Sequence, residues 1–241
     1  MSGHSKWNNI KHKKEKTDAA KAKVFTRIGK EIAMAVKAGG PDPSVNGKLR
    51  DMIAKAKANN VPNDNIDRII KKSSGAEAVD YEEVTYEGYG PSGVAVIVVA
   101  TTDNRNRTGG NVRHAFDKFG GNLGMPGCVS FMFTDKGVIV VDKEAADEDK
   151  LMEDALEAGA EDFSSDGDVY EIFTLPEDVD AVAAALRDKG YELLSAEKDK
   201  IPANYVALTD EDAIKNMNKM LDMLEEDEDI SDVYHNWENE D

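Results

Sequence analysis

The sequence predicts an α+β protein in which an N-terminal three-helix domain is followed by two α+β domains, the third ferredoxin-like and inserted into the second. Apolar residues recur at helical spacing as far as residue 72. After Gly75 this period gives way to short strands. Farther along, the order strand, helix, strand, strand, helix, strand is typical of the ferredoxin-like fold. A basic flexible tail and three domains are predicted, at residues 1–16, 17–76, 77–133 with 207–241, and 134–206.

The N-terminal part combines the tail with three predicted helices. Residues 1–16 are rich in lysine and lack apolar periodicity, which predicts a flexible segment. The first helix is predicted from Asp18 to the breaker at Gly39. The second is expected to begin after Ser44 and the third near Asn63, whose side chain is expected to cap it. Short helices joined by tight turns predict a small bundle.

The second domain is predicted to contain a β-hairpin with further helices and strands. Its elements are expected near residues 82–87, 94–101, 107–119, 128–133, 210–226 and 233–237. The last two elements are too few to form a domain alone, so they are expected to complete the unit begun by the hairpin. Within the intervening insertion, strands are expected at residues 138–141, 169–175 and from 191, helices at 147–157 and 177–189, and a tight turn at Asp166-Gly167.

Composition excludes several classes of protein. Of the 241 residues, 40% are hydrophobic and 32% are charged, which is typical of a globular protein with a solvated surface. The longest apolar run, residues 93–100, is far shorter than the roughly 20 residues of a membrane-spanning helix. No apolar segment follows the basic N-terminus, and Cys128 is the only cysteine. A cytoplasmic location without membrane contact is therefore expected.

The net charge of −18 hides a strong asymmetry. Residues 1–72 contain 17 Lys and Arg against 7 Asp and Glu, a net charge of +10, whereas the remaining residues contain 13 against 41, a net charge of −28. The first part attracts a phosphate polymer and the second repels it, so nucleic acid is the predicted partner. The alternative is that the basic residues only form solvated faces. The residues expected to contact nucleic acid are Lys6, Lys11, Lys13, Lys14, Lys16, Lys21, Lys23, Arg27, Lys30, Lys48, Arg50, Lys55 and Lys57.

A second cationic segment, residues 103–121, lies within the acidic part of the chain. Arg105, Arg107 and Arg113 are expected to form a second contact with phosphate or with a partner, because a guanidinium matches phosphate geometry. The segment Thr108-Gly109-Gly110-Asn111 is expected to precede a helix N-terminus and to offer free backbone N–H groups to an anion. The alternative is a capped, solvated helix whose arginines pair with nearby carboxylates.

The sequence lacks the patterns of known catalytic and metal-binding sites. It contains no nucleophile elbow, no zinc-protease helix and no Cys/His pairing, and its dispersed histidines do not have zinc spacing. Asp162, Asp166 and Asp168 fall short of a calcium-binding loop, and a hairpin turn explains Asp166-Gly167 as well. The acidic run at residues 225–229 is interpreted as a solvated helix end. We therefore expect no catalytic residue, no metal and no cofactor.

Three long segments resemble the YebC family of probable transcriptional regulators. They are MSGHSKWNNIKHKKEKTDAAKAKVFTRIGKEI, GGPDPSVNGKLRDMIAKAKANNVPNDNIDRIIKK and GGNLGMPGCVSFMF. The likeness covers essentially the whole chain and implies a helical N-terminal domain with two α+β domains, the third inserted into the second. It also implies a role in gene expression. Bacterial members are described as DNA-binding transcriptional regulators and also as acting at the ribosome, and a mitochondrial relative activates translation of a cytochrome oxidase subunit.

Three functional hypotheses remain open. The first is a DNA-binding regulator, the second a ribosome-associated translation factor that contacts ribosomal RNA, and the third, far behind, an enzyme that uses the acidic part. No predicted helix-turn-helix carries a recognition helix with base-reading side chains. Lysine positions a protein on phosphate rather than reading sequence. The residues therefore favour structured RNA or weakly specific DNA contact.

Overall fold

A computed structural model of the protein describes residues 17–75, 78–165 and 167–238, with side chains from residue 22 onward. In chain order the helices are α1 (Thr17–Gly39), α2 (Gly47–Ala58), α3 (Asn63–Ser73), α4 (Arg105–Lys118), α5 (Glu148–Ala158), α6 (Val179–Asp188) and α7 (Glu211–Glu226). The strands are β1 (Glu82–Tyr89), β2 (Ala95–Thr102), β3 (Asn122–Leu123), β4 (Phe133–Asp142), β5 (Asp162–Ser164), β6 (Val169–Thr174), β7 (Leu193–Pro202), β8 (Val206–Ala207), β9 (Ile230–His235) and β10 (Trp237–Glu238). The predicted fold class is confirmed, since an N-terminal helical region precedes parts that contain sheets.

The described residues fall into two compact units. We call the first the core unit; it contains α1, α2 and α3 together with the sheet and helices of residues 78–129 and 209–235. The second, the inserted unit, contains residues 130–165, 167–208 and 236–238. The tail predicted at residues 1–16 lies outside the described residues.

Helices α1, α2 and α3 enclose a small apolar core. Its buried members are Ile28, Ile32, Ala35, Val36, Leu49, Ala56, Val61 and Ile66. Helix α2 begins at Gly47 because Asn46 caps it: the Asn46 side chain accepts a hydrogen bond from the Leu49 N–H at 3.0 Å and donates to the Ala35 carbonyl at 2.8 Å. The predicted capping role of Asn63 is wrong. Pro62 occupies the N-cap position of α3 without a side-chain hydrogen bond, and Asn63 is the first helical residue.

The sheet of the core unit has the strand order β3-β1-β2-β9. The predicted hairpin is confirmed as the antiparallel pair of β1 and β2. Strand β2 is buried along almost its whole length, which is why its sequence, AVIVVATT, is apolar on both faces. Strand β9 pairs antiparallel with β2 and places residues 230–235 beside it. The C-terminal residues of the core unit therefore complete a sheet that starts about 150 residues earlier.

The strand predicted near residues 128–133 is wrong. Residues Ser130–Met132 form a 3₁₀ turn, and β4 begins only at Phe133. The short strand of this region is instead β3, which pairs with Gly88 and Tyr89 of β1. A Cβ atom on Gly88 would lie 2.5 Å from the Asn122 carbonyl oxygen, so this close pairing requires glycine. The apolar residues near 128–133, on which the prediction was based, therefore follow the short strand β3 and do not form a strand of their own before β4.

The inserted unit contains an antiparallel sheet with the strand order β5-β6-β4-β7. With α5 between β4 and β5 and α6 between β6 and β7, this is the predicted ferredoxin-like arrangement. The two helices pack on an apolar core that includes Ile139, Leu151, Ile172 and Leu186. Strands β8 and β10 form a separate parallel pair. The turn predicted at Asp166-Gly167 includes Asp166, which lies outside the described residues. None of the helices in the described part of the chain is long and apolar enough to cross a membrane.

Candidate nucleic-acid interface

The basic residues predicted to contact nucleic acid lie in different environments. Lys6, Lys11, Lys13, Lys14 and Lys16 lie outside the described residues, and the side chain of Lys21 is also not described. The remaining seven are on α1 and α2 of the core unit. On α2, Lys48, Arg50 and Lys57 are exposed, and none of the described residues forms an ion pair with them. These three side chains are available to a partner.

Three basic side chains of α1 contact residues 225–232, which run from the end of α7 into β9; they are Lys23, Arg27 and Lys30. Arg27 forms ion pairs with Asp232 at 2.7 Å and with Glu31 at 3.0 Å, and its side chain is 30% exposed. Burial alone would lower the pKa of Arg27, but Asp232 and Glu31 outweigh it and raise that pKa. Lys23 donates to the carbonyl oxygen of Glu225. These side chains hold α1 against the C-terminal segment of the core unit.

Asp229 is the centre of a buried polar cluster, which we call the Asp229 cluster. Its carboxylate accepts hydrogen bonds from Lys30 at 2.9 Å, from Arg107 at 2.6 Å and from the Thr108 hydroxyl at 2.8 Å. Its side chain is 9% exposed. Burial raises the pKa of Asp229, but the hydrogen bonds from these cationic and hydroxyl donors outweigh burial and lower the pKa to about 2.

The Asp229 cluster corrects the interpretation of residues 225–229 as a solvated helix end. Asp229 is buried, and the Glu228 carbonyl oxygen accepts a hydrogen bond from Lys30 at 2.8 Å. Lys30 also donates to the Thr101 carbonyl oxygen at 2.9 Å. The sequence carried no signal for this role, because a run of acidic residues after an amphipathic helix is usually solvated. The segment thus forms a structural joint, by which we mean that its hydrogen bonds connect α1, β2 and α4.

Lys55 is also held by a carboxylate within the helical part of the core unit. Its ammonium lies 2.7 Å from Glu31, whose other oxygen accepts from Arg27. Glu31 therefore links α1 to α2 through one basic residue on each helix. The side chain of Lys55 is still 41% exposed, so it lies at the edge of the surface formed by the exposed side chains of α2.

The second cationic segment forms most of helix α4. Asn104 caps this helix by accepting the Arg107 N–H at 3.0 Å. The expectation of free N–H groups at Thr108-Gly109-Gly110-Asn111 is wrong, because these residues lie inside α4 and the Thr108 N–H donates to the Asn104 carbonyl oxygen at 3.1 Å. The helix starts earlier than predicted since Asn104 supplies the cap.

The three arginines of α4 have different roles. Arg107 pairs with Asp229 at 2.6 Å and with Asp103 at 2.8 Å, and the hydrogen bonds that it donates to these carboxylates raise its pKa. Arg105 and Arg113 are exposed, and no described residue forms an ion pair with either of them. Both line a groove of about 360 Å³ between β1, α4 and residues 123–126. We call it the α4 groove; the residues that line it include Tyr86, Arg105, Asn106, Gly109, Gly110 and Arg113.

A buried carboxylate shapes the loop that forms the other wall of the α4 groove. Glu87 of β1 is 6% exposed and accepts the N–H groups of Gly127 at 2.8 Å and Val129 at 2.9 Å. Gly120 and Gly127 have φ angles of 82° and 88°, a conformation that glycine adopts without steric cost. Glu87 thus fixes the loop after β3 against the sheet.

Replacing Glu87 with alanine is expected to lower the free energy of unfolding by about 2 kcal/mol, because the Gly127 and Val129 N–H groups lose a charged acceptor. Glu87→Gln keeps one acceptor oxygen and should lose less. Urea unfolding followed by circular dichroism measures both changes. Glu83→Ala, on the same strand and exposed, is the matched control. Equal losses in the Glu83 and Glu87 alanine variants would contradict this role.

The described residues contain no group of three or more His, Cys, Asp or Glu side chains placed to hold a metal ion. The aspartates considered in the sequence include Asp166, so that arrangement lies outside the described part of the chain.

Comparison with known proteins places the whole chain among close relatives. Residues 5–76 match the family model described as TACO1/YebC protein N-terminal domain, and residues 81–237 match TACO1/YebC second and third domain. A probable transcriptional regulatory protein of Acetivibrio thermocellus is 60% identical over 239 residues, covering 98% of this chain and 99% of the relative. One from Agathobacter rectalis is 59% identical, covering 99% and 100%. The crystal structure of the conserved hypothetical protein Aq1575 from Aquifex aeolicus is 44% identical with a TM-score of 0.79, covering 92% of this chain and 91% of that chain.

Proposed function

Because this chain belongs to the TACO1/YebC family, we propose that it is a non-enzymatic, cytoplasmic regulator of gene expression that binds nucleic acid through its N-terminal part. Relatives that share about 60% of its residues are named probable transcriptional regulatory proteins, which supports the regulatory role. Family membership agrees with the resemblance that the sequence carries.

The observation that carries this proposal is the net charge of +10 on residues 1–72 in a chain of net charge −18. Exposed lysines and arginines that are not neutralised within the protein can release counterions from a phosphate polymer. Lys48, Arg50 and Lys57 of α2 meet this requirement, since they are exposed and form no ion pair with any residue that the structure describes. We propose that they act with the lysines of residues 1–21, which are the other part of the same basic segment.

The basic side chains of α1 contribute to this surface in a different way. Arg27 and Lys30 are held by Asp232 and Asp229, so their charges are largely compensated within the core unit. We propose that they position α1 and α2 relative to the sheet, and that Lys23 and Lys55 border the surface that contacts phosphate. Such a surface attracts nucleic acid without reading its sequence, because lysine contacts phosphate rather than base edges.

Changing Lys48, Arg50 and Lys57 to alanine together should weaken binding to nucleic acid and flatten its dependence on salt. Each lost phosphate contact changes the slope of log affinity against log salt by about 0.9 on duplex DNA, or about 0.7 on a single strand. Fluorescence anisotropy with the full chain at several salt concentrations measures the slope. Adding changes at Lys11, Lys13 and Lys14 should flatten it further.

The matched control for this experiment removes the same charge from the acidic part of the chain. Lys150, Lys215 and Lys219 are exposed, and no described residue forms an ion pair with them. Changing these three to alanine should leave the slope unchanged, or slightly strengthen repulsion of phosphate. The same loss of slope in both triple variants would show that net charge, and not the surface on α2, governs binding.

A second candidate target, the ribosome, is favoured by the presence of exposed basic side chains on two different helices. Lys48, Arg50 and Lys57 lie on α2, whereas Arg105 and Arg113 lie on α4. A large ribonucleoprotein particle can contact both at once, and linked contacts gain apparent affinity through effective concentration. Crosslinking of the full chain in cells, followed by sequencing of the bound nucleic acid, distinguishes promoter DNA from ribosomal RNA. Recovery of promoter fragments alone would exclude this second candidate.

A further inference from the structure

We propose that the α4 groove binds a single unpaired strand of RNA, whose phosphates lie at Arg105 and Arg113 and whose backbone passes over Gly109 and Gly110. The proposal rests on the function proposed above, because it gives the same nucleic acid a second contact. It differs from the contact on α2 in the elements that form it.

The charges of the α4 groove are arranged to bind an anion. Arg105 and Arg113 are two turns apart on the same face of α4, and neither forms an ion pair with a described residue. Arg107, between them in sequence, points to the Asp229 cluster instead. A guanidinium without a carboxylate partner keeps its donors for phosphate, which it can bind through two parallel hydrogen bonds.

The carboxylate of Glu87, which also lines the α4 groove, does not compete for these arginines. It is buried and accepts the backbone N–H groups of Gly127 and Val129. The carboxylate of Glu87 therefore faces the loop, whereas the guanidinium groups of Arg105 and Arg113 are exposed to solvent. Residues 73–241 carry a net charge of −28, which repels phosphate, so an anion can bind there only where carboxylates are turned away from the basic side chains.

The glycine pair in the middle of α4 indicates that a partner approaches the helix backbone. Glycine is disfavoured inside a helix, because it loses more conformational freedom than alanine on folding. A Cβ atom on Gly109 would be in ordinary contact with the Tyr86 ring, at 3.5 Å. At Gly110 no described atom would lie within 4 Å of that Cβ, so the folded chain itself has no steric need for glycine there. A strand of RNA that lies against the backbone of α4 would explain why Gly110 has no side chain.

The form of the α4 groove fits one strand better than a duplex. The groove, about 360 Å³ in volume, is bounded by a single helix, one strand and a short loop, and an aromatic side chain on its wall can stack only with a base that is unpaired. Tyr86 lines it and donates its hydroxyl to the Arg105 carbonyl oxygen at 3.2 Å, which fixes its ring beside the arginine. Aromatic rings stack with unpaired bases, and unpaired bases in folded RNA are the commonest targets of RNA-binding proteins.

Gly110→Ala separates binding from folding. The added methyl group meets no described atom and restores helix propensity, so the midpoint of thermal unfolding should rise. The same methyl group should hinder the approach of the strand and weaken binding of a single-stranded RNA of about 12 nucleotides, a length within the range that such grooves accommodate. Arg105→Ala and Arg113→Ala should each weaken binding by about tenfold, as expected for a hydrogen bond to a charged group.

The experiment is fluorescence anisotropy of the full-length protein with the RNA and with duplex DNA of the same sequence, at one low salt concentration. Arg187→Ala, an exposed arginine of the inserted unit, is the matched control and should bind as the wild type does. A Gly110→Ala protein that is more stable and binds the RNA equally well would overturn the proposal, as would losses confined to duplex DNA. If the wild type binds neither probe, the proposed function itself fails, which is a distinguishable result.

Discussion

Replacing Asp229 with alanine is expected to lower the free energy of unfolding by about 3 kcal/mol at pH 7. Removing one partner from a buried ion pair leaves the other charge without compensation. Here Lys30, whose side chain is 11% exposed, would lose its carboxylate, and the buried Thr102 hydroxyl would lose the carboxylate that accepts its hydrogen bond at 3.2 Å. Arg107 loses less, since it is half exposed and keeps Asp103.

Urea unfolding at several pH values tests this expectation. Because the folded pKa of Asp229 is about 2 and lies below its unfolded value, the carboxylate stabilises the fold above about pH 4 and loses that effect as the pH falls toward 2. The difference between the wild type and Asp229→Ala should therefore shrink in that range. Glu228→Ala removes the same charge from an exposed neighbour and should change stability by less than about 0.5 kcal/mol. Similar losses in the two variants would show that the Asp229 cluster is not a structural joint.

Acidification from pH 7 to pH 5 is expected to cost the wild type about 2 kcal/mol more than a His235→Asn variant. His235, on β9, is 8% exposed, and burial lowers its pKa to about 4. The pKa of histidine in an unfolded chain is about 6.5. Between that pH and about 4 the imidazole is protonated in the unfolded chain but stays neutral in the folded protein, so the free energy of unfolding falls as the pH falls. Each pH unit in that range contributes about 1.4 kcal/mol.

The comparison of pH slopes keeps this prediction testable even if His235→Asn is less stable at neutral pH. Other groups titrate in both proteins, so their effects cancel in the difference between the two slopes. The measurement is urea unfolding of both proteins at pH 7, 6 and 5. Parallel slopes would mean that His235 accepts a proton in the folded state, and that its surroundings on β9 admit water.

The periodic elements of the fold could be predicted because they depend on local patterns. Helix α1 buries Ile28 and Ile32 at helical spacing, and the hairpin of β1 and β2 has continuous β-forming residues on both sides of a turn. The short strand β3 was not predicted, since it consists of Asn122 and Leu123 alone and exists only through pairing with Gly88 and Tyr89. No local pattern specifies a strand of that length.

The candidate site was harder to predict because ion pairs over long sequence separations decide which charges remain available. Lys30 and Asp229 are 199 residues apart, and Arg27 and Asp232 are 205 residues apart. In the sequence, Arg27 and Lys48 are equivalent basic residues on neighbouring helices. Only the tertiary structure shows that the charge of Arg27 is compensated by Asp232, whereas Lys48 is exposed. For the same reason Arg107 could not be distinguished from Arg105 and Arg113.

The pairing of β2 with β9 has a consequence for the time at which the protein can fold during its synthesis. Strand β2 ends at Thr102, and its neighbour β9 begins only at Ile230. At ~5–20 residues per second, the ribosome needs on the order of ten seconds to add the roughly 130 residues between them. Throughout that interval the nascent chain carries a long apolar strand with one unpaired edge, which is the kind of edge that pairs with other chains. Synthesis of residues 130–208 of the inserted unit does not end this exposure, because the edge of β2 stays unpaired until β9 is made.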